Sequence, residues 1–124
     1  MQTEARPLVS VVVPVYNPGE YFAPFLASLQ AQTLQNWQAI LVDDGSTDGS
    51  AERIDSAARA DARILAVHQP NSGAAAARVR GVALAEGEFL LCVDSDDLMH
   101  PQMLRALVQA CQSQNAQLAF CRFA

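Results

Sequence analysis

Apolar and polar positions follow two periods in turn along this chain of 124 residues. Leu8 to Val13 is β-branched and apolar at nearly every position, as a strand buried on both faces should be. Pro14, Pro18 and Gly19 break that run. Phe22, Phe25, Leu26 and Leu29 then recur at helical spacing, with Pro24 tolerable because it falls in the first turn. Trp37 to Val42 is a second apolar run, closed by Asp43-Asp44-Gly45. A polar-faced helix is expected over Ala51–Ala60, capped by Asp48 or Ser46. Arg63 to Val67 reads as a third strand and Phe89 to Val93 as a fourth. Between them Gly73 to Ala85 is an alanine-rich helix, with a left-handed C-cap expected at Gly87. Pro101 suits the first turn of a last helix, whose Leu104, Leu107, Val108 and Cys111 form one apolar stripe. Leu118 to Phe123 is a candidate fifth strand.

Strands alternating with helices of this length indicate an α/β fold, a mostly parallel sheet with helices on both faces. The length supports one domain, residues 1–124, and no repeat or linker divides it. Phe120 to Ala124 is strand-like with no polar tail behind it, which reads as a domain cut from a longer protein. With 51% hydrophobic and 17% charged residues the chain is built to fold. All 8 basic residues are arginine, and the absence of lysine excludes a Walker P-loop and a lysine Schiff base. A net charge of −5 without a basic block argues against duplex nucleic acid and against an anionic membrane surface. Cys92, Cys111 and Cys121 sit in apolar surroundings without CxxC spacing, so they read as reduced core thiols in a reducing compartment. The start lacks a secretory signal, and the apolar runs fall far short of the roughly 20 residues a membrane span needs. A soluble, cytoplasmic domain is therefore expected, and an oligomer is compatible with everything in the pattern.

Open α/β sheets bind ligands beyond the carboxyl ends of their strands. Those ends carry Tyr16-Asn17, Asp43-Asp44, His68 to Asn71, and Asp94-Ser95-Asp96-Asp97. Five carboxylates thus converge on one edge, where mutual repulsion costs stability unless a cation or ligand offsets it. Loop-forming preference alone accounts for Asp44 and Asp48, less well for three Asp in four residues after a buried strand. A Mg²⁺-like cation takes one or two protein carboxylates and completes its sphere with water and phosphate oxygens, which suits Asp94 and Asp96. Asp44, Ser46, Asp48, Gly49 and Asp55 also fall on positions 1, 3, 5, 6 and 12 of the EF-hand loop pattern, but a strand stands where its entering helix belongs and the last position lacks the usual Glu. His68 and His100 are too isolated from the cysteines for zinc and read as loop residues, His100 close enough to the acidic cluster to line the site. G-x-S-x-G and G-x-G-x-x-G are both missing, against a hydrolase triad and ordinary dinucleotide binding. Arg78 has Ala74, Gly81 and Ala85 as helical neighbours, a small-residue face that admits either a ligand or a neighbouring backbone.

Pro14-Val15-Tyr16-Asn17, Val42 to Asp48, Asn71-Ser72-Gly73 with Ala77-Arg78 and Gly81, and Asp94 to Asp97 together resemble glycosyltransferase family 2. Order and spacing match over about residues 8 to 112. The resemblance implies a Rossmann-like GT-A fold that takes a nucleotide sugar, most often UDP-linked, with Mn²⁺ or Mg²⁺. It implies a nucleoside pocket walled by Pro14, Tyr16 and Asn17. Asp43 would accept from the uracil imide, Arg78 would lie near the same base, and Asp44 would support the turn. Asp94 and Asp96 match the DxD pair, with Asp96 the metal ligand proper, Asp94 nearer the ribose, Ser95 beside the nucleotide and Asp97 behind them. The pattern departs at Arg78-Val79, where the family often has Arg-Asn. The family's acceptor half and its general base have no counterpart here, since after Pro101 only Arg105 and Arg122 are charged. The expected activity is donor binding for an inverting transfer to a glycan or lipid-linked acceptor, in the making of a surface polysaccharide. The alternative is a non-catalytic nucleotide-sugar or metal-binding module.

Overall fold

The computed structural model describes residues 6–113 and orders their strands β3-β2-β1-β4, every neighbouring pair parallel. The strands are β1 (Val9–Val15), β2 (Trp37–Asp43), β3 (Ile64–His68) and β4 (Phe89–Cys92). The helices are α1 (Phe22–Gln30), α2 (Ser50–Ala60), α3 (Ala74–Leu84) and α4 (Met103–Ser113), with a 3-10 turn at Gly19–Tyr21 before α1. The expected strand over Leu118–Phe123, and Cys121 within it, lie outside the described residues. No helix among the described residues is long and apolar enough to cross a membrane.

Strand alternation sorts the apolar residues into two cores. Val9, Val11, Val13 and Val15 face a large cluster with Phe22, Phe25 and Leu29 of α1, Ile54 of α2, and Leu104 and Val108 of α4. Val12 turns the other way, to Ile40, Val42, Val67, Leu90 and Ala77 of α3. Among the described residues, three helices therefore cover one face and α3 covers the other. Its small residues bring α3 close to the sheet: a Cβ on Gly81 would overlap the Cγ1 methyl of Val12. Trp37 is buried at the start of β2, and the Arg63 guanidinium lies 3.8 Å from its ring centroid.

β1 runs two residues past the expected end, through Pro14 to Val15. Along β1 the carbonyl of Val12 accepts from Val93 on the β4 side, while that of Val15 accepts from Asp44 on the β2 side. Pro14 shares the orientation of Val12, so its missing N–H faces the side where β4 has already ended. Gly87 departs from the expectation of a left-handed cap, for it is not among the glycines with positive φ. α3 ends at Leu84, and Ala85 leaves in an extended conformation. Gly87 is required instead for close packing, because a Cβ there would lie 2.6 Å from the Ser10 nitrogen. Of the two candidate caps of α2, Asp48 accepts the Ser50 N–H at 3.0 Å with left-handed Gly49 between them. Ser46 faces the β1 loop instead.

The order of the strands reverses at β1, whose successive neighbours lie on opposite sides. That switch point opens a crevice at the carboxyl ends of β1 and β4.

Candidate functional site

The crevice is a cleft of about 550 Å³. One wall is the segment leaving β1: Pro14, Tyr16, Asn17 and Pro18, with Tyr21 from the 3-10 turn beyond. Asn17 holds that wall in place. It takes a left-handed conformation at φ 49°, which asparagine tolerates, and its Oδ1 accepts the Thr47 N–H at 2.8 Å. Its own N–H donates to Ser46 Oγ at 3.0 Å. A third tie comes from Gly19, whose N–H donates to Asp48 Oδ2 at 2.8 Å. Burial pushes the Asp48 carboxyl up, but the bonds from Ser50 and Gly19 outweigh it and the net shift is downward. Tyr16 and Tyr21 stay more than half exposed at the cleft.

The back of the cleft is built on Asp44 and the loop after β3, where Asn71, Gly73 and Ala74 also line it. Asp44 is only 3% exposed. Its Oδ1 accepts from Ser72 N–H at 2.7 Å and Gln69 Nε2 at 2.9 Å, and its Oδ2 from Gly73 N–H at 2.9 Å. Burial raises its proton affinity, yet these donors outweigh burial and hold the carboxyl below its ordinary value. Gly45 lets the two loops meet, since its φ is 81° and a Cβ there would lie 2.9 Å from the Asn71 nitrogen.

Asp43 points elsewhere. Its Oδ1 accepts the Ser46 N–H at 2.9 Å, its Oδ2 lies 3.0 Å from His68 Nδ1, and it does not line the cleft. The two adjacent carboxylates thus take different surroundings, Asp44 toward the cleft and Asp43 toward β3.

The remaining wall is the end of β4: Asp94, Ser95 and Asp96. One carboxylate oxygen each from Asp94, Asp96 and Asp97 falls within 4.8 Å of the others. Asp97 Oδ2 is buried without a hydrogen-bond partner. Burial, then the charges of Asp96 and Asp94, push the Asp97 carboxyl up. Three hard oxygen donors, on carboxylates of which Asp97 also holds a buried unpartnered oxygen, fit a small divalent cation that would relieve their repulsion. Arg78 does not line the cleft; its Nη2 lies 3.8 Å from Asp94 Oδ1, in a half-exposed pair on the acidic side. His100 also lies outside the lining, and its Nδ1 accepts the Gln102 N–H at 3.1 Å.

The structure therefore brings together Pro14, Tyr16, Asn17, Asp44, Asp94, Ser95 and Asp96, and leaves Asp43 and Arg78 outside the lining. Sequence reasoning missed Tyr21 and Pro18 as lining residues, named Ala74 only as a helical neighbour of Arg78, and placed His68 at the strand ends only as a loop residue. Asn71 and Gly73 were visible as a motif, without a role.

The sequence pattern of the family described as Glycosyl transferase family 2 matches residues 10–124. The chain belongs to this family. The glycosyltransferase GlyG of Streptococcus pneumoniae is 44% identical over 110 residues, which are 88% of this chain and 36% of GlyG. TarS 1–349 of S. aureus, in complex with UDP-GlcNAc, superimposes with a TM-score of 0.79 at 31% identity, over 87% of this chain and 32% of that one. The mannosyltransferase PcManGT of Pyrobaculum calidifontis, in complex with GDP-Man and Mn²⁺, gives 0.77 at 26% identity, over 86% of this chain and 33% of that one. The fold is that of the GT-A glycosyltransferases. The chain spans about a third of the length of these relatives.

Proposed function

We propose that this chain binds the donor, a UDP-linked sugar with Mn²⁺ or Mg²⁺, for an inverting glycosyltransferase. The observation that carries this reading is the cleft itself, lined by Tyr16 and Tyr21 and by Asp94 and Asp96, two members of a cluster of three carboxylates that Asp97 completes. A nucleoside matches the first and a metal-bound diphosphate the second. Tyr16 packs against the base. Asp44, the member of the pair that lines the cleft, takes the part that the family resemblance suggested for Asp43 and accepts the imide hydrogen. Asn71 Nδ2, at 3.4 Å from Asp44 Oδ2, is the weakest of its donors and the one such a bond would replace. Asp94 and Ser95 lie toward the ribose, while Asp96 and Asp97 hold the cation. Arg78 restrains Asp94 from behind. Similarity to a UDP-GlcNAc complex at 31% identity, against 26% for a GDP-Man complex, supports uridine over guanosine.

A divalent cation, when bound, offsets the charge that builds on the diphosphate leaving group. The residues of this chain orient the donor and keep its base fixed, so the anomeric carbon meets the acceptor from one side. Deprotonating an acceptor hydroxyl needs a carboxylate that this reading does not assign to the chain, so these 124 residues bind donor but leave transfer at background. The acceptor of the whole enzyme would be a glycan or a lipid-linked sugar of a surface polymer. The test is a thermal-shift titration with UDP and Mn²⁺. At ~100 times the dissociation constant, UDP should stabilise the fold by about 2.7 kcal/mol, and chelating the metal should cancel most of that gain. No shift at millimolar UDP with Mn²⁺ would overturn the reading.

A further inference from the structure

His68 is the last residue of β3, in register with Asp43, the last residue of β2. Both of its ring nitrogens face carboxylates: Nδ1 lies 3.0 Å from Asp43 Oδ2, and Nε2 lies 2.8 Å from Asp55 Oδ1 on α2. A neutral imidazole has a single N–H, so one of these contacts would set a nitrogen lone pair against an anion. Two hydrogen bonds at these distances require the ring to carry both protons. The charged groups facing it are Asp43 from β2 and Asp55 from α2. The hydrogen bond to Asp43, then that to Asp55, raise the His68 pKa above its ordinary value.

The bridge leads to the cleft through Asp43. Its Oδ1 accepts the Ser46 N–H, and its carbonyl accepts the N–H of Gln69, whose side chain bonds Asp44. Ser46 in turn accepts from Asn17 on the opposite wall. We propose that His68 is a positioning residue for the nucleotide cleft: as an imidazolium held between Asp43 and Asp55, it fixes the turn that presents Asp44, and nucleotide affinity falls when the proton is lost. This rests on the reading of the cleft as a nucleotide site. On deprotonation the remaining proton stays on Nδ1, because Asp43 is 5% exposed and needs a donor, whereas Asp55 is 44% exposed and is solvated by water. The Nε2 lone pair then repels Asp55, and α2 no longer braces the ring. Losing one such hydrogen bond corresponds to an affinity change of about 2- to 12-fold.

The experiment compares the protein with Asp55→Asn and His68→Gln. The imidazole of His68 is followed by NMR, and UDP affinity with Mn²⁺ by calorimetry, from pH 5.5 to 8.5. The expected result is a weakening of UDP binding as pH rises, with the midpoint of the His68 titration. Asp55→Asn, on the exposed side, should move both midpoints down together. His68→Gln should follow pH only as UDP itself does. UDP affinity that is flat through the His68 midpoint, or an Asp55→Asn variant whose NMR midpoint moves without its affinity midpoint, would overturn the role of His68 alone. Absence of UDP binding at every pH would overturn it together with the nucleotide reading.

Discussion

Replacing Asp44 with alanine should destabilise the fold before any ligand is considered. The carboxylate receives two backbone N–H groups, from Ser72 at 2.7 Å and Gly73 at 2.9 Å, and the Gln69 amide at 2.9 Å. Hydrogen bonds to a charged group are worth about 1.5–3 kcal/mol each. The Gln69 side chain can turn to water and counts for little. Ser72 and Gly73 lie on an exposed loop where water partly replaces the lost acceptor, so their sum belongs at the low end, about 2–4 kcal/mol. For a chain of this length that lowers Tm by roughly 6–20 °C. The cost also depends on pH. The folded-state pKa of Asp44 is lowered, burial notwithstanding, so its stabilisation is present above the unfolded carboxylate value of about 3.9 and is lost as pH falls through the folded value. Urea unfolding of the parent and of Asp44→Ala at pH 7, 5 and 3 should show a gap that holds at the first two and narrows at the third. A gap under about 1 kcal/mol at pH 7, or one unchanged at pH 3, would refute the reasoning.

Asp96→Ala should abolish Mn²⁺-dependent UDP binding in calorimetry while the ligand-free Tm stays level or rises, because an exposed like charge is removed. Asp44→Asn should weaken UDP about 5- to 150-fold, the size of an unpaired imide hydrogen bond, and Asp43→Asn by less; a larger loss at Asp43 would restore that residue as the base reader. Gly81→Ala should cost about 1–3 kcal/mol in thermal unfolding, since its methyl meets Val12 in the sheet. The folded pKa of His68 is raised, so its contribution is complete below the unfolded value of about 6.5 and is lost as pH rises through the folded one. The stability gap between the parent and His68→Gln should therefore be widest near pH 6 and shrink toward alkaline pH, as denaturant titrations at stepped pH would show.

The strands and helices were legible because burial on two faces leaves continuous apolar runs, and the stripe of α4 kept Leu104, Val108 and Cys111 buried as expected. The end of β1 was not, since proline reads as a stop unless the neighbour that would need its N–H is known to have ended. Gly87 was misjudged for a related reason: a glycine after a helix signals a turn by local rules, whereas its need here comes from Ser10, far away in sequence. The acidic end of the cleft was visible in Asp94 to Asp97, but the facing of Asp43 and Asp44 depends on how β2 leaves the sheet. His68 looked like a loop residue because its two partners come from β2 and α2, which only the folded sheet brings together.

The adjacency of Asp43 and Asp44 has a consequence for how such a domain can diversify. One carboxylate bonds toward β3 and the next toward the loop that lines the cleft, so a neighbour of one can change without touching the partners of the other. Residues around Asp44 can be exchanged to suit a different base while the Asp43–His68 bridge is left untouched. A deletion of one residue near the end of β2 is another matter. With β2 held in register, it would bring Asp44 to the position facing the imidazole and Gly45 to the cleft, so that one of the two duties is left without a carboxylate. Point substitution, not change of length, is the route by which this corner of the fold can vary.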